Sequence, residues 1–285
     1  MNNFRKIVAL LLAMVMILGV LAGCGSDSSS TGSTGSNNGG NPFGGGMDNS
    51  SSGSSAKAIK AQGTVTIYGG EMTVNTATDG AEGLESKTSI DIQGGKNYLK
   101  CYDDCINSSG CIYFNGGVTV CYSNGNDAVD SNAGTTGAIT IGDGTIFAYS
   151  TKGSPEEGLD CDNNSYIKIT GTGTAISAGG AQSSGSSSIS NATQGYAFVT
   201  SSVSYTTGRY YTLSDASGNN LVTFSFQAAC SSSLSLFTAT GMTKNSTYYV
   251  KYSTTAPTDA ETAFHGLYLG SSAKGTTSVT SFTAK

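Results

Sequence analysis

From residue 57 onward, short apolar runs alternate with glycine, and the alternation itself repeats. An apolar-polar-apolar triplet occurs five times: Val65-Thr66-Ile67, Ile90-Asp91-Ile92, Ile112-Tyr113-Phe114, Ile139-Thr140-Ile141 and Ile167-Lys168-Ile169. A glycine turn follows each, from Gly69-Gly70 to Gly171-Thr172-Gly173, and then a second short strand such as Met72-Thr73-Val74 or Val118-Thr119-Val120. A single apolar anchor precedes each triplet (Ile59, Leu84, Ile106, Val129, Leu159), at intervals of 25, 22, 23 and 30 residues. Period-two alternation marks strands and glycine marks corners. One such unit cannot bury its own apolar face, so the units must stack. The pattern predicts an all-β protein: a parallel β-helix of about five coils over residues 57–190, then a C-terminal antiparallel β segment over 191–285. Leucine-rich repeats share the length but not the composition, and a β-sandwich with coincidental spacing is the competing fold. In the solenoid, Thr66, Asp91, Tyr113, Thr140 and Lys168 form one outward ladder, and the flanking Ile, Val and Phe form the core.

The first 56 residues follow a different pattern. Arg5 and Lys6 precede an apolar stretch from Ile7 to Leu18, then Leu21-Ala22-Gly23-Cys24. This predicts a secretory signal over 1–23. Leu-Ala-Gly-Cys resembles the bacterial lipobox, which implies diacylglycerol on Cys24; a plain signal peptide or N-terminal membrane anchor is the alternative. Residues 24–56 are Ser, Gly and Asn with almost no hydrophobes, a tether with a span of roughly 30 Å. No later stretch is long and apolar enough to span a bilayer. The expected location is the extracellular face of the cell membrane, with the membrane contacted through the lipid alone.

Composition narrows the choices further. Forty Gly among 285 residues without a Gly-X-Y period exclude collagen, and 15 Tyr with 10 Phe exclude wholesale disorder. A formal charge of −5 leaves no phosphate-neutralising surface, so nucleic acid is not an expected partner. One His (His265) and no Trp leave little for His-rich metal sites or a Ser-His-Asp triad. Cys101, Cys105, Cys111, Cys121, Cys161 and Cys230 show no zinc-like pairing; buried thiols and disulfides are both open.

The acids are concentrated. Residues 79–162 hold thirteen of the 19 Asp and Glu against four Lys, a net of −9. They recur at fixed repeat positions. Glu82, Asp104, Asp127 and Glu157 stand two before an anchor, and Glu85, Asn107, Asp130 and Asp160 one after it; the first coil lacks the pattern. Coils stack about 4.8 Å apart. Two carboxylates at that spacing repel by roughly 0.9 kcal/mol in water and about 3.5 kcal/mol at an effective dielectric of 20. A hard cation would turn repulsion into binding, and Ca²⁺ takes six to eight such oxygens. A solvated acidic edge that discourages aggregation is the alternative. Residues three apart on an ideal strand face opposite ways, so convergence requires a bend before the anchor, for which Gly80, Gly83, Gly125 and Gly158 are suited.

Asp79-Gly80-Ala81-Glu82-Gly83-Leu84 followed by Ile90-Asp91-Ile92-Gln93-Gly94-Gly95 resembles the recurrent unit of calcium-binding, right-handed parallel β-helix lipoproteins of clostridial type, a carbohydrate-binding domain family similar to family 9 pectate lyases. The unit recurs at Glu156-Glu157-Gly158-Leu159-Asp160 and, altered, at Asp103-Asp104-Cys105-Ile106-Asn107. The resemblance spans about residues 56–255, including Tyr210-Tyr211-Thr212-Leu213 and Val222-Thr223-Phe224-Ser225-Phe226. It departs at Cys105 and Ala128, which replace Gly, and in its Cys enrichment and fewer coils. It implies a surface lipoprotein that binds cellulose or acidic pectic polysaccharide, with Ca²⁺ as cofactor.

Function follows from these residues as an expectation of binding without turnover. Tyr68, Tyr98, Tyr102, Tyr113, Tyr122, Tyr149 and Tyr166 recur along the coils; Tyr68 and Tyr113, outward by alternation, are the candidates to stack on sugar. A calcium-dependent lyase would need a cationic base, for which Lys60, Lys87 and Lys100 are placed, but beside so many acids a Lys is held protonated. A ladder of equivalent acids singles out no acid and base for a glycosidase. A surface spacer or adhesin without a sugar ligand is the remaining alternative.

Overall fold

The structure, a computed structural model, describes residues 55–181 and 188–285. The expected signal peptide, Cys24 and all but the end of the 24–56 tether lie outside the described residues, as do 182–187 near the end of the expected solenoid.

Residues 57–179 wind through five coils of three strand positions each. Coil 1 contains β1 (Lys57–Ala61), β2 (Val65–Ile67) and β3 (Glu71–Asn75); coil 2, β4 (Glu82–Ser86), β5 (Ile90–Ile92) and β6 (Lys96–Cys101). Coil 3 contains β7 (Ile106–Ser108), β8 (Ile112–Phe114) and β9 (Val118–Ser123); coil 4, β10 (Val129–Ser131), β11 (Ile139–Ile141) and β12 (Thr145–Ser150). Coil 5 meets the first face only through an Asp130–Asp160 bridge and then forms β13 (Ile167–Ile169) and β14 (Thr174–Gly179). Equivalent strands pair in parallel and in register, giving three faces. Face A stacks β1, β4, β7 and β10; face B stacks β2, β5, β8, β11 and β13; face C stacks β3, β6, β9, β12 and β14. The parallel solenoid expected from the repeat is therefore present, with the expected number of coils.

The triplets form face B, and their outer two residues point inward. Ile90, Ile92, Ile112, Phe114, Ile139, Ile141, Ile167 and Ile169 are all buried in one core with Leu84, Ile106, Val129 and Leu159. Burying such a side chain contributes about 1.5–3 kcal/mol. The anchor of coil 1 departs from the expectation: Ile59 is 41% exposed, because no described coil lies below it. Glycine at the corners is a steric requirement. Gly70, Gly95 and Gly117 hold φ of 89°, 87° and 70°, and a Cβ on Gly94 or Gly116 would overlap the carbonyl of Tyr68 or Gln93 one coil below. Buried serines tie other corners: Ser86 Oγ donates to Gly63 O at 2.9 Å and Ser131 Oγ to Gly110 O at 3.0 Å.

The C-terminal segment is antiparallel, as expected, but it is not separate from the solenoid. It comprises β15 (Tyr196–Val199), β16 (Val203–Tyr205), β17 (Tyr210–Asp215), β18 (Asn220–Phe224), β19 (Cys230–Ser232), β20 (Leu234–Thr238), β21 (Thr247–Ser253), β22 (Thr262–Phe264), β23 (Leu267–Leu269) and β24 (Thr277–Thr283). β20 pairs antiparallel with β14, and β15 with β20, so both extend face C past the last coil and cover the edge that would invite further strands. β22-β23-β18-β17-β21-β24 form a six-stranded sheet, and β16 pairs with β19. All six cysteines of the described residues are free thiols, five of them buried.

Candidate functional site

The three outer faces of the solenoid have different fates. On face C the outward rows are Tyr98-Val120-Phe147-Ile176 and Lys100-Tyr122-Tyr149-Ala178. They form a second apolar core with Tyr205, Tyr211, Phe224 and Phe226 of the C-terminal segment. Tyr149 stacks on Tyr122 at 4.9 Å and meets Phe226 edge-on at 4.9 Å. Tyr98 lies parallel to His265 at 3.6 Å and donates its hydroxyl to Gln227 Oε1 at 2.7 Å. Tyr98, Tyr122 and Tyr149, which recur along the coils without being the outward candidates, are packing residues.

Among the described residues no sheet covers face B, although Thr140 on it is buried. Its outward central row is Thr66-Asp91-Tyr113-Thr140-Lys168, in register. Beside it run Tyr68, 71% exposed, and the exposed Gln93 and Asn115. Asp91 organises the middle of this strip: Oδ2 accepts from Gln93 Nε2 and Oδ1 from Asn115 Nδ2, both at 2.8 Å. Tyr113 is half-buried between Asp91 and Thr140. Both tyrosines expected to be outward are therefore accessible, on a strip of carboxylate and amide groups.

Face A carries the acids. Lys60, Glu85, Asn107, Asp130 and Asp160 occupy one register position in successive coils. Glu82, Asp104, Asp127 and Glu157, two before the anchors, are all buried. The bend needed to bring the two rows together is a local irregularity of the ladder. The successive amides of Gly83 and Leu84 donate to Asp104 O and Cys105 O, and those of Cys105 and Ile106 both to Ala128 O. On a regular strand consecutive amides point opposite ways, so this stretch is bulged, which re-aims side chains. Glycine is required at position 83, since a Cβ there would overlap Cys105 O. In coil 3 the result is direct: Asn107 Nδ2 donates to Asp104 Oδ2 at 2.8 Å.

Coil 1 fills the acid positions with lysine. Lys57 pairs with Glu82, Lys60 with Glu85 at 3.1 Å, and Lys87 with Glu85. Burial pushes the Glu85 carboxyl up, but Lys87 and Lys60 outweigh it and hold the group below its ordinary value. Asp104, Asp127 and Asp130 have no ion pair among the described residues. Burial first, and neighbouring carboxylates next, push them up to about 8, 9 and 7. Asp127 Oδ1 accepts from the Glu157 amide, and Asp130 Oδ2 from Asn132 Nδ2 at 2.8 Å. Asp104 Oδ1 is buried without a hydrogen-bond partner. These oxygens are hard donors of the kind Ca²⁺ takes. Among the described residues, however, no group of three or more His, Cys, Asp and Glu side chains is arranged to hold a metal ion.

The lysines considered as bases do not suit that role. Glu85, by accepting a hydrogen bond from Lys87, raises its pKa, so the ammonium is harder to deprotonate. Lys60 pairs with the same carboxylate, and Lys100 Nζ lies 5.6 Å from the Tyr122 ring centroid.

A family model described as carbohydrate-binding domain-containing protein matches residues 54–128, which run from coil 1 to the start of coil 4. No curated protein and no solved structure matches the chain. The matched stretch contains Tyr68, Asp91, Gln93, Tyr113 and Asn115, and the parallel solenoid together with this match supports carbohydrate binding.

Proposed function

We propose that this protein is a surface lipoprotein that holds polysaccharide along face B without cutting it. One observation carries the reading: the part of the chain similar to carbohydrate-binding proteins is the part whose open face presents Tyr68 and Tyr113 beside the Asp91–Gln93–Asn115 network. Rungs about 4.8 Å apart approach the length of one pyranose in an extended chain, so a β-linked glycan can lie across successive coils. Aromatic rings then meet sugar faces while amides and carboxylate take hydroxyls.

Ca²⁺ belongs to this proposal as a ligand of face A. Asp104, Asn107, Asp127, Asp130, Glu157 and Asp160 are its candidate ligands, since lysine serves Glu82 and Glu85. Asp104 Oδ1 is buried without a hydrogen-bond partner, as are Glu82 Oε2 and Glu85 Oε2, and only the lysine pairs of the two glutamates set them apart. Side chains of adjacent coils must turn toward a common point to complete the shell. Anchorage through lipid on Cys24, at the extracellular face of the membrane, completes the proposal.

The test is retention of the protein on immobilised cellulosic and pectic polysaccharides, with Ca²⁺ and with chelator. Tyr68→Ala with Tyr113→Ala should weaken retention at least tenfold with the melting temperature unchanged. Failure to retain any glycan in either condition would leave the spacer reading. Steady release of unsaturated uronides, seen as near-ultraviolet absorbance, would establish a lyase instead.

A further inference from the structure

Charge divides the described chain unevenly. Residues 55–181 carry seven Lys against fourteen Asp and Glu, a net of −7, whereas residues 188–285 carry five Lys and Arg against three acids, a net of +2. Two of these five cations, Lys251 and Lys274, meet at one place. Three adjoining clefts on the six-stranded sheet, of about 360, 280 and 100 Å³, are all lined by Lys274, and Lys251 joins it in the smallest. The largest is within the size range of small-ligand sites. Its floor includes the cross-strand pair Tyr210 with Ser253, and Thr212, which it shares with the smallest cleft, pairs there with Lys251.

Its wall is the loop that carries Ser272 and Lys274, and this loop is fixed from two sides. Asp259 accepts from Ser271 Oγ at 2.7 Å and from the Ser272 amide at 2.8 Å. Asn220 Nδ2 donates to Ser271 O at 2.7 Å and Ala273 O at 3.1 Å. Serine hydroxyls and an amide thus take up the acid nearest the cleft. Neither Lys251 nor Lys274 forms an ion pair among the described residues. Gly275 packs so closely on Lys251 that a Cβ would overlap its backbone and stem, which keeps the two lysines together. Two ammonium groups without an ion pair among the described residues, that of Lys251 lying 5.5 Å from the Tyr249 ring centroid, stand beside hydroxyls and suit a sugar that bears a carboxylate.

We propose that this cleft is a second glycan site, selective for uronate-containing chains. A uronate carboxylate is held between Lys251 and Lys274, its hydroxyls by Thr212, Ser253 and Ser272, and its ring beside Tyr210. The site does not depend on face B or on calcium. It places the acidic polymer on the positive part of the molecule rather than against the acids of face A.

Titration calorimetry on the intact protein in chelator, with trigalacturonate and the neutral galactotriose, tests this. Trigalacturonate should bind at least tenfold more tightly, and added salt should weaken it. Lys251→Gln with Lys274→Gln should abolish the preference, and Lys274→Arg should largely keep it. Tyr68→Ala with Tyr113→Ala should leave it unchanged, which separates this site from face B. Melting temperature checks that each variant is folded. Equal binding of the two sugars, unchanged uronate affinity in the double glutamine variant, or equal binding of a sulfated trisaccharide would each overturn the proposal.

Discussion

Faces B and C are built from the same stacked strands, yet one is open and the other is sealed. The difference lies in the residues that point outward. On face B they are Thr66, Asp91, Tyr113, Thr140 and Lys168, mostly polar, and among the described residues no sheet packs on them. On face C they are Tyr98, Val120, Phe147 and Ile176 with Tyr122 and Tyr149, and the C-terminal sheet covers them. A solenoid with one greasy outer face must bury that face, and here its own C-terminal segment does so. What remains available to a ligand is the polar face and the acidic one.

The contrast is broken most directly by truncating each face in turn. Phe147→Ala or Tyr149→Ala should cost about 3–5 kcal/mol, because both side chains are fully buried between the solenoid and the C-terminal sheet. At about 2–4 °C per kcal/mol for a domain of this size, scanning calorimetry should show a drop on the order of 10 °C. A drop of a degree or two would mean that face C is not sealed in solution.

The sealing of face C was legible in the sequence, but in a signal different from the one that revealed the solenoid. The triplets of face B alternate apolar and polar, which marks a strand with one wet side. The second strand of coil 4 does not: Ile146-Phe147-Ala148-Tyr149 is apolar at every position, as strands buried on both sides are. The mere recurrence of seven tyrosines passes over that distinction, which separates Tyr98, Tyr122 and Tyr149 from Tyr68 and Tyr113. The acid rows were legible as rows, because register repeats with the coil. The bend before the anchor was legible at Gly83 but not at Cys105, where no glycine marks the break in the period of two. Nor was the lysine cap of coil 1, because Lys57 and Lys60 occupy acid positions without resembling them. The capping by β20 joins residues some sixty positions apart, and no local pattern announces it.

Face A offers the next largest effect. At free Ca²⁺ of 100 times Kd, one site adds about 2.7 kcal/mol of stability, so the melting temperature should rise by several degrees and fall again with chelator. Asp127→Asn with Asp130→Asn should remove the response, whereas Glu85→Gln, already in lysine pairs, should keep it. Calorimetry in both conditions decides, and a response lost in Glu85→Gln alone would move the metal to coil 2.

The same acids fix the direction of a pH effect. In chelator, Asp130, Asp104 and Asp127 stay protonated in the folded chain up to about 7, 8 and 9, where the unfolded chain has already released its protons. Stability is therefore greatest at acid pH and is lost as pH rises through those values. The melting temperature should fall between pH 5 and pH 9 without metal, and saturating Ca²⁺ should flatten the fall. A metal-free stability that rises over this range would show that these carboxyls ionise without penalty.

Tyr113→Ala should have the smallest effect on stability, within about 0.5 kcal/mol, as for a surface substitution outside the packed core. Its ring lies on a face that no other sheet covers, so no apolar partner is left behind. Binding should respond instead. A tenfold loss of glycan affinity corresponds to about 1.4 kcal/mol, and it should appear equally with and without Ca²⁺, because ring stacking is insensitive to charge. The paired measurement separates the two faces: Tyr149→Ala lowers melting and Tyr113→Ala lowers affinity. If Tyr113→Ala instead lowered the melting temperature as Tyr149→Ala does, face B would have a cover of its own, and its tyrosines could not be a platform for sugar.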